Sequence, residues 1–241
     1  MDNKLSVVII TKNEESKILD AIKSVNFAAE IVIIDSGSSD RTCEIAREAG
    51  AVVIHQDWLG YGEQKNMGVS HTKNDWVMVL DADERVTKEL KNEIEMTLLK
   101  PIKNGYFIPR RNFFFGKLIR FCGLYPDYSL RLFKKDKGHF VNTSVHERVI
   151  IEGKPGHLIN PMLHLAYESV SEFTKKQKKY ASLSDKKFNL IKAILSPIWV
   201  FLKIYFFRLG LFDGWRGLVI SFVYARYTFW KYTNEYFNYK V

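Results

Sequence analysis

Cysteine is almost missing from these 241 residues, with Cys43 and Cys122 the only two. Two thiols cannot build a disulfide framework, and they are not spaced as a zinc site, so a reducing, cytoplasmic setting is expected. No clean apolar run reaches the ~20 residues of a spanning helix. The start, MDNKLSVVIITKN, has an apolar run only over residues 5–10, without the h-region or cleavage site of a signal peptide. An unexported catalytic part is expected. Internal repeats and low-complexity linkers are also lacking. Hydrophobic residues at 46% and charged residues at 26% exclude a disordered chain and suit one substantial core with a small appendage.

Acidic residues are scarce in one part only. Residues 1–100 hold 12 Lys and Arg against 18 Asp and Glu, whereas residues 101–241 hold 24 against 9. A strongly basic second part implies an anionic surface. Lys175, Lys176, Lys178, Lys179, Lys186, Lys187 and Lys192 crowd one stretch, and 16 of the 34 aromatic residues lie in 197–241. Aromatics mixed with cations and long aliphatics are the composition of a membrane interface, which favours anionic lipid over nucleic acid.

Residues 5–10, 31–34, 51–54 and 76–80 are short apolar runs, as strands buried on both faces would be. Helical patterns lie between them at 15–25 and from Asp40 to Ala49, behind a turn rich in capping Ser and Asp. Alternating strands and helices predict an α/β fold with a mostly parallel, Rossmann-like sheet flanked by helices, binding its ligand outside the carboxyl ends of the strands. Short strands are expected at 106–109, 130–133 and within 139–151. From Ser169 the pattern is helical and Lys-rich. Residues 194–211 are very apolar but interrupted by Lys203, and with 214–239 they read as amphipathic interfacial helices. The expected division is a catalytic domain over 1–168, its nucleotide half at 1–100 and acceptor half at 101–168, followed by a basic, aromatic helical region over 169–241.

Asp81-Ala82-Asp83 directly follows a buried strand. Two carboxylates one residue apart can share a hard divalent cation, Mg²⁺ or Mn²⁺, which prefers oxygen ligands and keeps positions open for phosphate. Such an ion neutralises charge developing on a departing diphosphate. A solvated turn is the plainer alternative for this motif alone.

The segments LSVVIITKNEE, EIVIIDSGSSDRT, WLGYGEQKNMGV and DWVMVLDADERV occur together in order. With them the chain resembles inverting family 2 glycosyltransferases of the GT-A fold. YFIPRRNFFFG, YPDYSLRLFKK, FVNTSVHERV, PMLHLAYES and RLGLFDGWRG resemble a narrower branch, the glucosyltransferases that extend the heptose inner core of lipopolysaccharide or lipooligosaccharide. The resemblance implies transfer of a hexose, glucose from UDP-glucose, to a lipid-linked core oligosaccharide at the inner face of the cytoplasmic membrane. A polyprenyl-phosphate-linked acceptor is the nearest rival. A nucleic-acid-binding protein would leave the Asp-x-Asp motif unexplained, and the Gly-rich, Arg-containing loop of sugar-nucleotide synthases does not follow the first strand. The Q-x-x-R-W signature of processive synthases is missing, so one sugar per encounter is expected.

The same resemblance implies roles for single residues. Thr11 and Glu14 would lie over the nucleoside, with Asp35 accepting from base or ribose, or else capping its own turn. Lys65 and Asn66, in a Gln64-Lys65-Asn66 loop, would approach the diphosphate. Asp81 would contact ribose or metal, Asp83 would ligate the metal, and His164 would complete that site unless it is a core histidine. Glu147 would be the general base, positioned by His146, unless it pairs with an arginine. Asp127 is the reserve. Trp58 is a candidate for stacking on a sugar, and Arg110 and Arg131 for holding acceptor phosphates.

Overall fold

The computed structural model describes residues 4–142, 147–184 and 186–237, and the backbone alone of residues 142, 147, 235 and 237. The chain divides into two compact units, Met1–Arg110 with Tyr128–His164, and Arg111–Asp127 with Leu165–Val241.

The first unit opens with β1 (Leu5–Thr11), α1 (Ile18–Ser24), β2 (Glu30–Asp35), α2 (Thr42–Glu48), β3 (Val52–His55), α3 (Tyr61–Ser70), β4 (Trp76–Asp81), β5 (Glu84–Arg85) and α4 (Lys88–Leu99). β1 is buried at every position, as its unbroken apolar run requires of a strand covered on both faces. β6 (Gly105–Phe114), β7 (Lys117–Leu118), β8 (Asp127–Lys134), β9 (Gly138–Asn142), β10 (Glu147–Ile151), β11 (Gly156–His157) and β12 (Met162–Tyr167) follow. The main sheet runs β3-β2-β1-β4-β8-β6-β12-β5. Its first four strands are parallel, and β8 lies antiparallel to β4. The expected α/β class, a largely parallel sheet flanked by helices, is the observed one. β9 and β10 form a separate antiparallel hairpin.

α3 occupies what the sequence suggested was a loop at Gln64-Lys65-Asn66. Gly60, at φ +100°, turns the chain into the helix, a conformation that L side chains rarely adopt. A Cβ at Gly68 would collide with Val8 and crowd Ile34, so glycine lets α3 press its polar residues onto the sheet.

The second unit adds α5 (Val170–Ser182), α6 (Leu190–Leu202) with a π-helical continuation (Lys203–Phe207), a 3-10 turn (Gly210–Asp213) and α7 (Trp215–Phe237). The hydroxyl of Ser169 caps α5 by accepting from the Glu172 N–H, and Asn189 caps α6 through the Lys192 N–H. Phe114, Phe115, Phe173, Ile204, Ile220 and Val223 share its core. By length and composition Leu190–Phe207 is able to cross a membrane, at 18 residues and a mean hydropathy of 1.7. That stretch holds Lys192 as well as Lys203, and 11% of it is buried.

Candidate active site

Strand pairing alone assembles the centre of the site. Thr11 stands opposite Asp35 across β1–β2, and Ile10 opposite Asp81 across β1–β4, so three polar residues end three neighbouring parallel strands. The Thr11 hydroxyl is buried and has no hydrogen-bond partner among the described residues, an uncompensated cost that a ligand would relieve. Asp35 accepts the backbone N–H groups of Gly37 and Ser38 at 2.9 and 2.8 Å and the Ser38 hydroxyl at 2.5 Å. Three of about four acceptor positions on that carboxylate are thereby used within its own turn. Asn13, at φ +54°, accepts from the Ser39 N–H, and the Glu14 N–H donates to the Thr42 hydroxyl at 2.8 Å. These bonds stitch the turn after β1 to the turn after β2. The Glu14 carboxylate lies 3.6 Å from Lys17.

Asp81 is the hub of a buried ionic cluster. Lys65 Nζ, with its side chain 0% exposed, reaches one carboxylate oxygen at 2.9 Å, and Arg131 Nη2 reaches the other at 2.6 Å. Burial pushes the Asp81 carboxyl up, but the charges of Arg131 and Lys65 outweigh that and hold it well below the usual carboxylate range. Glu84, wholly buried, accepts from the Asp81 N–H at 3.0 Å and from Arg131 Nη2 at 2.7 Å, and Arg110 Nη1 stands 3.4 Å away. Arg131 is therefore not free to face an acceptor phosphate, since its guanidinium is buried between two carboxylates. Arg110 keeps 22% of its side chain exposed and shares Glu84.

The short β5–β12 pairing sets His164 opposite Glu84 and brings its Nε2 to 3.6 Å from Asp83 Oδ2. One nitrogen and one carboxylate, both about one-fifth exposed, fit part of a divalent cation's shell. Asp81 fits less well as a direct ligand, because two cations already occupy its oxygens. Among the described residues no group of three His, Cys, Asp or Glu could hold a metal, so oxygens of a bound ligand would have to complete the shell.

Asn66 turns its amide toward the β9–β10 hairpin, donating to the Phe140 carbonyl at 2.9 Å and accepting the Phe140 N–H at 2.8 Å. Lys65 Nζ lies 5.6 Å from the centre of the Phe140 ring. His146 is outside the described residues, as is the side chain of Glu147, whose backbone begins β10 opposite Asn142. Asp127 belongs to the second unit, where Asn112 Nδ2 donates to it at 3.3 Å. Trp58, half exposed, meets Tyr61 edge to face at 4.8 Å.

Sequence reasoning passed over two residues. Glu84 could have been flagged as the third carboxylate of Asp81-Ala82-Asp83-Glu84. Gln64, which donates to Ser36 Oγ and the Gln56 carbonyl from a fully buried position, has no such signal.

Residues 6–146 match the family model of glycosyl transferase family 2. An uncharacterized glycosyltransferase of Rickettsia typhi is 33% identical over 92% of this chain and 83% of its own length. The lipopolysaccharide core biosynthesis glycosyltransferase LpsC of Rhizobium meliloti is 31% identical over 93% of this chain and 89% of its own. Of the solved structures, glucosyl-3-phosphoglycerate synthase of Mycobacterium tuberculosis aligns at 22% identity and a TM-score of 0.41, over 56% of this chain and 58% of that one. With a family match across more than half its residues and relatives that run along nearly all of them, the chain belongs to glycosyl transferase family 2.

Proposed function

We propose that the protein is a metal-dependent, inverting hexosyltransferase that moves glucose from UDP-glucose onto a heptose of the lipopolysaccharide or lipooligosaccharide inner core, peripheral to the inner face of the cytoplasmic membrane. The carrying observation is the Asp83–His164 pair set beside an Asp81 already neutralised by Lys65 and Arg131. Thr11, Asp35 and Glu14 line the strand ends where the nucleoside would rest, and the orphaned Thr11 hydroxyl is ready to bond it. Asp83 and His164 would hold Mg²⁺ or Mn²⁺, which when bound neutralises charge on the leaving diphosphate. Lys65 and Asn66 act from α3 beneath the site, Lys65 by fixing Asp81 and Asn66 by fixing the hairpin that carries Glu147.

Glu147 takes the proton from the acceptor hydroxyl as the sugar is attacked from the face opposite the nucleotide, so the anomeric configuration inverts. His146 positions it, with Asp127 as the reserve. Trp58 and Arg110 serve the acceptor. The core-oligosaccharide acceptor is supported by similarity to LpsC along nearly the full length of both chains. A polyprenyl-phosphate-linked acceptor is the second reading, favoured by the apolar length of Leu190–Phe207.

The test is a donor panel of UDP-, GDP- and ADP-sugars with Mn²⁺, offered with a heptose-terminated core acceptor or a polyprenyl phosphate. Transfer from UDP-glucose to the core, with inverted anomeric configuration by NMR, is expected. Transfer to the polyprenyl phosphate alone would move the assignment to the second reading, and no transfer from any donor would overturn both.

A further inference from the structure

We propose that α6 and its π-helical continuation lie in the plane of an anionic bilayer surface and do not cross it, one apolar arc entering the acyl layer and a line of lysines resting at the headgroups. This deepens the membrane reading above and rests on it.

Ala193 is the one buried residue of α6, and Ile204 the one of its continuation. At ~100° per residue, Ala193, Pro197, Val200 and Ile204 fall within about 60° of one another, and this is the side packed on α7. Ile191, Ile194, Leu195, Ile198, Trp199 and Leu202, each 37–70% exposed, cover an arc of about 140° turned away from it. Lys192, Ser196 and Lys203 form a narrow line along one border of that arc. An apolar arc with a cationic edge is the pattern of a helix lying at an interface.

The neighbouring helix decides between lying and crossing. α7 packs against both α6 and α5, and Asn234 donates to the Ser182 carbonyl at 3.1 Å, tying α7 to the end of α5. A crossing α6 would draw α7 into the apolar layer with it. Yet α7 carries Arg216, Arg226 and Lys231, and Leu190–Phe207 is the single stretch among the described residues apolar enough to span. Bringing those cations to membrane depth is strongly unfavourable. Lying at the interface, α6 can place its arc in lipid while the cations of α7 stay out of the apolar layer.

Charge selects the lipid. Residues 186–212 contain Lys186, Lys187, Lys192, Lys203 and Arg208 and no acidic residue at all. An uninterrupted set of cations around an exposed apolar arc is complementary to anionic headgroups.

Spin labels on full-length protein test the orientation. Ile191→Cys and Phe206→Cys, each in a Cys43→Ser background, would be bound to phosphatidylglycerol-containing vesicles and read for depth by EPR. Equal depth at both sites is expected, with binding about tenfold or more weaker on neutral vesicles. Labels on opposite sides of the bilayer would overturn the proposal in favour of a spanning helix. Ile194→Glu with Ile198→Glu should abolish vesicle binding while leaving transfer to a water-soluble acceptor fragment unchanged. Failure of the wild type to bind any vesicle while that transfer proceeds would sink this proposal and leave the transferase reading standing. A lipid-free dimer that these two substitutions dissociate would assign the arc to a second copy instead.

Discussion

Arg131 Nη2 lies 2.6 Å from Asp81 Oδ2, and the same nitrogen lies 2.7 Å from Glu84 Oε1. One cation thus binds two carboxylates, one of them wholly buried, beneath the strand ends where the donor is proposed to sit. Removing a single partner from a buried ion pair leaves an uncompensated charge, which costs about 3–5 kcal/mol. Arg131→Ala should lose that much stability in urea denaturation, and Arg131→Lys less, because an ammonium keeps the charge without the planar fork. A loss below about 1 kcal/mol for Arg131→Ala would mean that the cluster relaxes to solvent.

Acid should expose the same pairing at Asp81. Its carboxyl is held below the usual range in the folded protein, so its contribution is present at neutral pH. That contribution declines as pH falls below the unfolded value of about 3.9 and disappears as the folded group itself protonates. Asp81→Asn should therefore lower Tm at pH 7, and the gap from wild type should narrow on going toward pH 3. A gap that widens in acid would reverse the assigned direction.

Asp83 makes the complementary case. Its contact with His164 is 3.6 Å and partly exposed, so Asp83→Ala should cost little stability. Transfer should fall to background, and tight Mn²⁺ binding by calorimetry in the presence of UDP should go with it. His164→Ala should weaken Mn²⁺ binding while retaining some transfer. Near wild-type activity without added metal in Asp83→Ala would remove the metal role from this pair.

What could be read in advance followed from hydrophobic periodicity. The runs that became β1, β2 and β4 announce themselves as buried strands, and with them come Thr11, Asp35 and Asp81 at their ends. α3 gives no such signal, because its buried residues are Gly62, Gln64, Lys65, Gly68 and Val69 and its inner face is mostly polar or glycine. α4 does carry one, with Leu90, Ile94 and Leu98 recurring every fourth residue behind the Thr87 cap. The Glu84–Arg131 pair joins residues 47 positions apart through the β4–β8 pairing, and nothing local specifies that register. For the same reason a sequence shows an arginine near a site without telling whether it faces a ligand or a carboxylate.

Asn66 offers a test of how the proposed general base is held. Its amide makes two bonds to the backbone of Phe140, which fasten β9 to α3, and β9 pairs in turn with β10, where Glu147 is the first residue. Losing both bonds should loosen the hairpin without touching the strand ends that would hold the nucleotide. Asn66→Ala should therefore lower kcat while leaving the KM for the donor nearly unchanged. Glu147→Gln removes the base itself and should lower kcat by roughly 10²–10⁴-fold, again at constant donor KM. The two effects act on one step, so the double variant should be little slower than Glu147→Gln alone. Losses that multiply in the double variant would separate Asn66 from the base. Loss of donor binding in Glu147→Gln, with the rate kept at saturating donor, would move Glu147 to the donor site and leave Asp127 as the acidic candidate.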